Sequence, residues 1–296
     1  MRVLIDANTI NTGKSGIGYY TYNLIRELSR LTDNSFDLTM AIRGNVWRML
    51  EKNGFDNVHN LVVEEKHFRK YLPFPSQSLQ GYDIFHEPNY VPRKFNGATV
   101  VTIADLSYRF FPQYHPWRRV KMLRLFEGRM RNASRIITIS ENSRREIEEV
   151  LRIPPERIKV TYLGADESFR PFKVDKDKKD EMIAKYGLPE HFVLFVGNIE
   201  PRKNLERLVQ AYYLCRQEGN FPDEIKLVLA GGKGWLNEGV FSLVSSLGLD
   251  LDVIFTGYVR DEDLAVLYNM ALAFVYPSLY EGFGLPPWRR CPVGYR

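Results

Sequence analysis

HFVLFVGNIEPRKNLERLVQAYYLCRQEG, residues 191–219, is an apolar run, a polar turn and an amphipathic stretch in that order. The run HFVLFV shows no alternation of apolar and polar positions, which suits a strand of a parallel sheet covered on both faces. The stretch 204–219 reads as the helix that follows it. On this reading GNIEPRKN, residues 197–204, closes the strand and opens the helix, so Arg202 and Lys203 fall in the first helical turn. Cations there oppose the helix dipole. Their placement makes sense if they face a di-anionic ligand, because Arg and Lys both bind phosphate oxygens strongly. Two solvated basic side chains are the alternative.

The same rhythm extends in both directions. After residue 219 come strand and helix candidates at 224–232, 241–249, 252–259, 263–271 and 272–278, making, with HFVLFV, four strands with helices between them. Before it, RVLIDA (2–7), GIGYYTYNLIRELSRL (16–31), DLTMAI (37–42) and NVWRMLEKN (45–53) read as βαβ units. Further strand candidates stand at 82–87, 98–106, 134–140 and 157–163, with a helix at 141–151. The stretch GADESFRPFKVDKDKKD, from Gly164, is polar and charged without apolar periodicity and reads as a linker running into a solvated helix start. Its Asp175-Lys176-Asp177 follows no strand that would fix a metal, so no metal site is expected. Three segments result: a first α/β domain over 1–170, a linker and helix start over 171–186, and a second domain over 187–296 that is incomplete at its carboxyl end.

Composition narrows the classes. The chain has 296 residues, 44% of them hydrophobic and 26% charged, enough for two cores. Cys215 and Cys291 lack ligand-like spacing, so neither a disulfide framework nor a zinc site is indicated, and a reducing compartment fits. No run of about 18 apolar residues occurs. The formal charge of +5 owes three units to Arg289, Arg290 and Arg296, and a near-neutral body argues against a nucleic-acid partner.

Two further loops complete the candidate sites. GKSGIGYY (13–20) places Gly13, Gly16 and Gly18 after the first strand, where backbone N–H groups can approach a phosphate; a tight strand-to-helix turn explains the same glycines. PSLYEGFGLPP (277–287) puts Glu281 at a strand's carboxyl end, the usual ligand crevice of open α/β sheets. Glu281 can accept sugar hydroxyls, and the amides of Gly282 to Leu285, Gly284 among them, can hold phosphate.

In order, DANTINTGKSGIGYY, HEPNYVP (86–92), VVTIADLSYRFFPQYHP (100–116), RIITISENSRREI (135–147), FVGNIEPRKNL, VLAGGKGWL (228–236), GYVRDEDLAVLY (257–268) and FVYPSLYEGFGLPP resemble the glycosyltransferases of family 4, from residue 1 to about residue 287. The resemblance implies a GT-B fold, in which two Rossmann-like domains face a cleft, and a retaining, mannosyltransferase-like enzyme. It would use a nucleotide-sugar donor such as GDP-mannose or a UDP-sugar, no cofactor, and a glycan or lipid-linked acceptor in cell-surface polysaccharide synthesis. In the family the glycine loop and the Arg-Lys pair bind the donor diphosphate, the turn glutamate binds the sugar and the segment like GYV contacts the base. Carried over, the donor-binding residues are Gly16, Gly18, Arg202, Lys203, Val259, Gly284 and Leu285, and those at the reacting sugar are Glu281, His86 and Asp105. No essential metal is implied, since cations and amides stabilise the departing diphosphate.

The chain departs from the pattern twice. Ala104 stands where this subgroup usually has histidine, and Arg289 stands where the family has a ribose-binding glutamate. The family's text continues close to LEAMACGVP, and reading the codons of 288–296 one base earlier permits LEAM(S/P)GGVP. The expectation is therefore that WRRCPVGYR is out of frame and the chain as written is weak or inactive. The alternative is an inactive relic that keeps part of the donor-binding fold. A cytoplasmic location is expected, with the stretch 116–135, seven basic residues and one acid, resting on an anionic membrane or packing as an ordinary basic-faced helix.

Overall fold

The computed structural model describes residues 1–10, 16–31, 36–42, 58–62, 80–219 and 221–290. The expected helix at 45–53, Gly13 and residues 291–296 of the tail lie outside them. Along the first half run β1 (Arg2–Asp6), α1 (Gly16–Arg30), β2 (Asp37–Ile42), β3 (His59–Val62), β4 (Ile84–Glu87), β5 (Ala98–Thr102), α2 (Ser107–Phe110), α3 (Trp117–Leu125), α4 (Glu127–Arg131), β6 (Arg135–Thr138), α5 (Glu141–Leu151) and β7 (Ile158–Val160). Then follow α6 (Lys176–Tyr186), β8 (His191–Val196), α7 (Leu205–Gln217), β9 (Ile225–Ala230), α8 (Glu238–Ser246), β10 (Val253–Gly257), α9 (Asp261–Met270), β11 (Ala273–Phe274) and α10 (Leu285–Arg290). No helix among the described residues is long and apolar enough to cross a membrane.

The chain divides into two compact units, Met1–Leu106 with Lys121–Tyr162, and Ser107–Val120 with Leu163–Arg296. The first holds a parallel seven-stranded sheet in the order β3-β2-β1-β4-β5-β6-β7. The order turns back between β1 and β4, so the loops leaving those two strands flank a switch point, where open α/β sheets bind ligands. Ile5, Ile25, Leu38 and Met40 are fully buried between β1, β2 and α1. Helix α5 matches its expected bounds because its ends are specified locally. The Ser140 hydroxyl accepts the Ser143 N–H at 3.1 Å, and Arg152 turns left-handed at the other end.

The second unit holds a parallel four-stranded sheet in the order β10-β9-β8-β11, with its own switch point between β8 and β11. The stretch from Gly164 is not wholly the solvated linker its polarity suggests. Phe169 is 2% exposed and packs edge-on against Tyr268, while Asp175 caps α6 by accepting the Lys178 N–H at 2.8 Å. A single buried ring leaves no periodic trace in a charged sequence. Asp263, in the first turn of α9, ties that helix to α6 by accepting from Lys185 Nζ at 2.6 Å and the Tyr186 hydroxyl at 2.7 Å. Burial works against its charge, but these donors hold the carboxyl down to about 2. Of the tail, Trp288–Arg290 ends α10, with Arg289 buried and its guanidinium 4.7 Å over the Phe169 ring.

Candidate functional site

The loop after β8 is held by glycines rather than by the helix that follows. A Cβ on Gly231, in the loop after β9, would lie 2.0 Å from the Gly197 carbonyl oxygen, so the two loops approach as closely as only glycine permits. Beyond Gly197, Pro201–Lys203 forms its own 3-10 turn, and Asn204, left-handed at φ 57°, separates it from α7. Arg202 and Lys203 therefore precede the helix and do not occupy its first turn. Their placement is explained by partners. Lys203 is 7% exposed and Arg202 is largely covered, which excludes the alternative of two solvated basic residues.

Those partners lie across the switch point, in the turn after β11. Hydrogen bonds sew the two loops together: the Leu279 N–H donates to the Arg202 carbonyl at 3.0 Å and the Asn204 side-chain Nδ2 to the Pro277 carbonyl at 3.2 Å. Arg202 Nη1 reaches the Tyr280 carbonyl at 2.5 Å and Glu281 Oε2 at 3.0 Å, while its Nη2 meets Glu200 at 2.6 Å. Lys203 Nζ donates to Glu281 Oε1 at 2.5 Å and to the Tyr276 hydroxyl at 3.0 Å. Burial alone would raise the Glu281 carboxyl. The adjacent ammonium and guanidinium outweigh it and hold the group below its usual range, so Glu281 is ionised. Two cations thus face two carboxylates, Glu281 and Glu200, and any anionic ligand would have to compete with these for them.

Three more of the expected residues lie in this unit. Val259 is 6% exposed in the apolar core with Leu264, so its side chain serves packing. Gly284 is left-handed at φ 88°, and Leu285 starts α10. Glu200 and Tyr276 carry no mark in the sequence, where Tyr276 reads as one more apolar strand residue of LAFVYPS.

In the first unit Gly16 and Gly18 form the first turn of α1. His86, in β4, is 5% exposed with Nε2 2.9 Å from the Thr102 hydroxyl, which also lies 3.1 Å from the Tyr20 hydroxyl. Burial lowers its imidazole to about 4, so the ring is neutral at physiological pH. Asp105 follows β5 and accepts from the Tyr90 hydroxyl at 3.2 Å. Tyr90 is itself left-handed at φ 61°, an uncommon conformation for a bulky residue. Arg93 and Asp6, both nearly inaccessible, pair at 3.2 Å and connect the loops leaving β4 and β1.

A family model described as Glycosyltransferase Family 4 matches residues 14–169, and one described as Glycosyl transferases group 1 matches residues 178–288. The chain is 37% identical to O-antigen chain mannosyltransferase B of Escherichia coli, over 97% of this chain and 78% of that protein. Among solved structures it resembles sucrose-phosphate synthase from Thermosynechococcus elongatus, with a TM-score of 0.71 at 20% identity over 100% of this chain and 80% of that one. It also resembles Anabaena HepE in complex with UDP and glucose, with a TM-score of 0.69 at 17% identity over 100% and 79% of the two chains. At these identities the structural likenesses speak for the fold.

Proposed function

We propose, from the premise that the chain belongs to glycosyltransferase family 4, that it transfers mannose from a nucleotide-activated donor to a glycan or lipid-linked acceptor in the synthesis of a cell-surface polysaccharide. The observation that carries this reading is the pairing of Arg202 and Lys203 with Glu281 at the carboxyl edge of the second sheet, beside its switch point. Arg202 and Lys203 would hold the donor diphosphate and neutralise the charge that grows on it as the sugar departs. Glu281, displaced from the cations by that diphosphate, would accept hydroxyls of the sugar. The relative from E. coli, by its name, supports mannose as the sugar, and the HepE complex supports a nucleoside diphosphate as the carrier. GDP-mannose is the donor to assay first. Incubation with GDP-mannose and a mannose-terminated oligosaccharide should release GDP and lengthen the oligosaccharide by one hexose. Donor binding without transfer to any acceptor would favour the alternative of a non-catalytic protein, to which Ala104, unable to make a side-chain hydrogen bond, would contribute.

A second reading concerns location. On α3, Trp117 and Leu125 are 67% and 74% exposed, and Arg118, Lys121 and Arg124 are exposed between them. The stretch's single acid, Glu127, is buried and lies 3.6 Å from Arg131. A face of cations and large apolar side chains with no exposed acid suits an anionic bilayer, which would bring the enzyme to a lipid-linked acceptor at the inner membrane face. Flotation with vesicles rich in phosphatidylglycerol should carry the protein at low salt and release it at high salt. Absence of low-salt binding would remove this reading.

A further inference from the structure

Just beyond β11, the Tyr276 hydroxyl lies 3.0 Å from Lys203 Nζ and 3.0 Å from Glu281 Oε1. An ammonium only donates and a carboxylate only accepts, so the directions are fixed: Lys203 donates to the phenol oxygen, and the phenol hydroxyl donates its hydrogen bond to Glu281. The ring cannot swing aside, because it is stacked at 5.8 Å and 14° on Phe195 and at 5.9 Å and 19° on Phe274. Burial, with the Glu281 carboxylate beside it, pushes the phenol well above its ordinary range, so the proton it donates stays in place. Among the described residues, two of the three Lys203 protons are thereby taken, by Tyr276 and Glu281.

We propose that Tyr276 is a positioning residue, its hydroxyl fixing the Lys203 ammonium and the Glu281 carboxylate so that the remaining Lys203 proton is aimed at the donor diphosphate. The proposal rests on the donor-site reading above. Without the phenol, Lys203 keeps a single acceptor and is free to rotate about it. When the diphosphate draws Lys203 away from Glu281, the phenol still anchors the ammonium.

Calorimetric titration with GDP-mannose, on wild type, Tyr276→Phe, Lys203→Ala and the double variant, tests this. Phenylalanine keeps the stacked ring and removes only the hydroxyl. Tyr276→Phe should weaken binding about tenfold, equivalent to about 1.4 kcal/mol. In the Lys203→Ala background the same change should cost less than about twofold, because the ammonium whose proton it aims at the diphosphate is gone. An equal loss in both backgrounds would mean a purely structural role and overturn the proposal. Unchanged affinity in Tyr276→Phe with a clear loss in Lys203→Ala would overturn it while leaving the donor site standing. Unchanged affinity in both single variants, or no binding by wild type, would refute the donor site and the proposal with it.

Discussion

His86 gives the first unit a titratable group whose protonation the fold opposes. Its imidazole sits at about 4 in the folded chain against an ordinary value of 6.5, through burial. Between those values the unfolded chain binds more protons, so the contribution of His86 to stability is complete above about pH 6.5 and is lost as pH falls toward 4. The loss should be on the order of 2–3 kcal/mol. Urea unfolding of the wild type should show its midpoint falling through this window, and His86→Gln, which keeps a hydrogen-bonding side chain without the titration, should flatten that fall. An equally steep fall in the variant would place the effect elsewhere. Glu281 and Asp263, both held low, lose their contributions only at more acidic pH. At this scale the sequence is partly legible. Arg202 and Lys203 stand out because cations are disfavoured where a helix is expected to begin, and Glu281 because its motif resembles the family's turn glutamate. Tyr276 and Glu200 do not, because a tyrosine in an apolar run and an acid in a polar loop are unremarkable until their partners, distant in sequence, are brought beside them.

Elements are most legible in the sequence where their ends are specified locally. Helix α5 begins at a serine cap and ends as expected, and β8 and β9 appear as continuous apolar runs. In sequence, the turn Pro201–Lys203 merges with the helix because it lies directly between the apolar run and the amphipathic stretch, and only the left-handed Asn204 separates the two. Phe169, a single buried ring in charged surroundings, leaves no periodic signal in the sequence. The closeness of the loops after β8 and β9 yields a sharp prediction from two adjacent glycines. Gly231→Ala would drive its Cβ to within 2.0 Å of the Gly197 carbonyl and should cost more than about 2 kcal/mol, read by chemical denaturation. At Gly232 the nearest atom, Asn198 Oδ1, is 3.9 Å from an added Cβ, and Gly232→Ala should stay within about 1 kcal/mol. Equal effects at the two positions would show that the loops do not meet as described.

At the scale of the whole molecule, two parallel sheets with reversed strand order each present a switch point, and the second carries the paired charges. The ordered series of motifs made the family legible, because many short signatures in one sequence are far more specific than any alone, and the family models match across both halves. The sugar and the acceptor were not legible, since side-chain hydrogen bonds to hydroxyls leave no fixed spacing. The central claim is that a nucleotide-sugar donor binds with its diphosphate at Arg202 and Lys203 and its sugar at Glu281. Amide hydrogen exchange with and without saturating GDP-mannose tests it most directly. The account predicts slowed exchange over residues 197–204 and 279–285, lost in Lys203→Ala; donor-dependent protection that leaves both loops unchanged would contradict it.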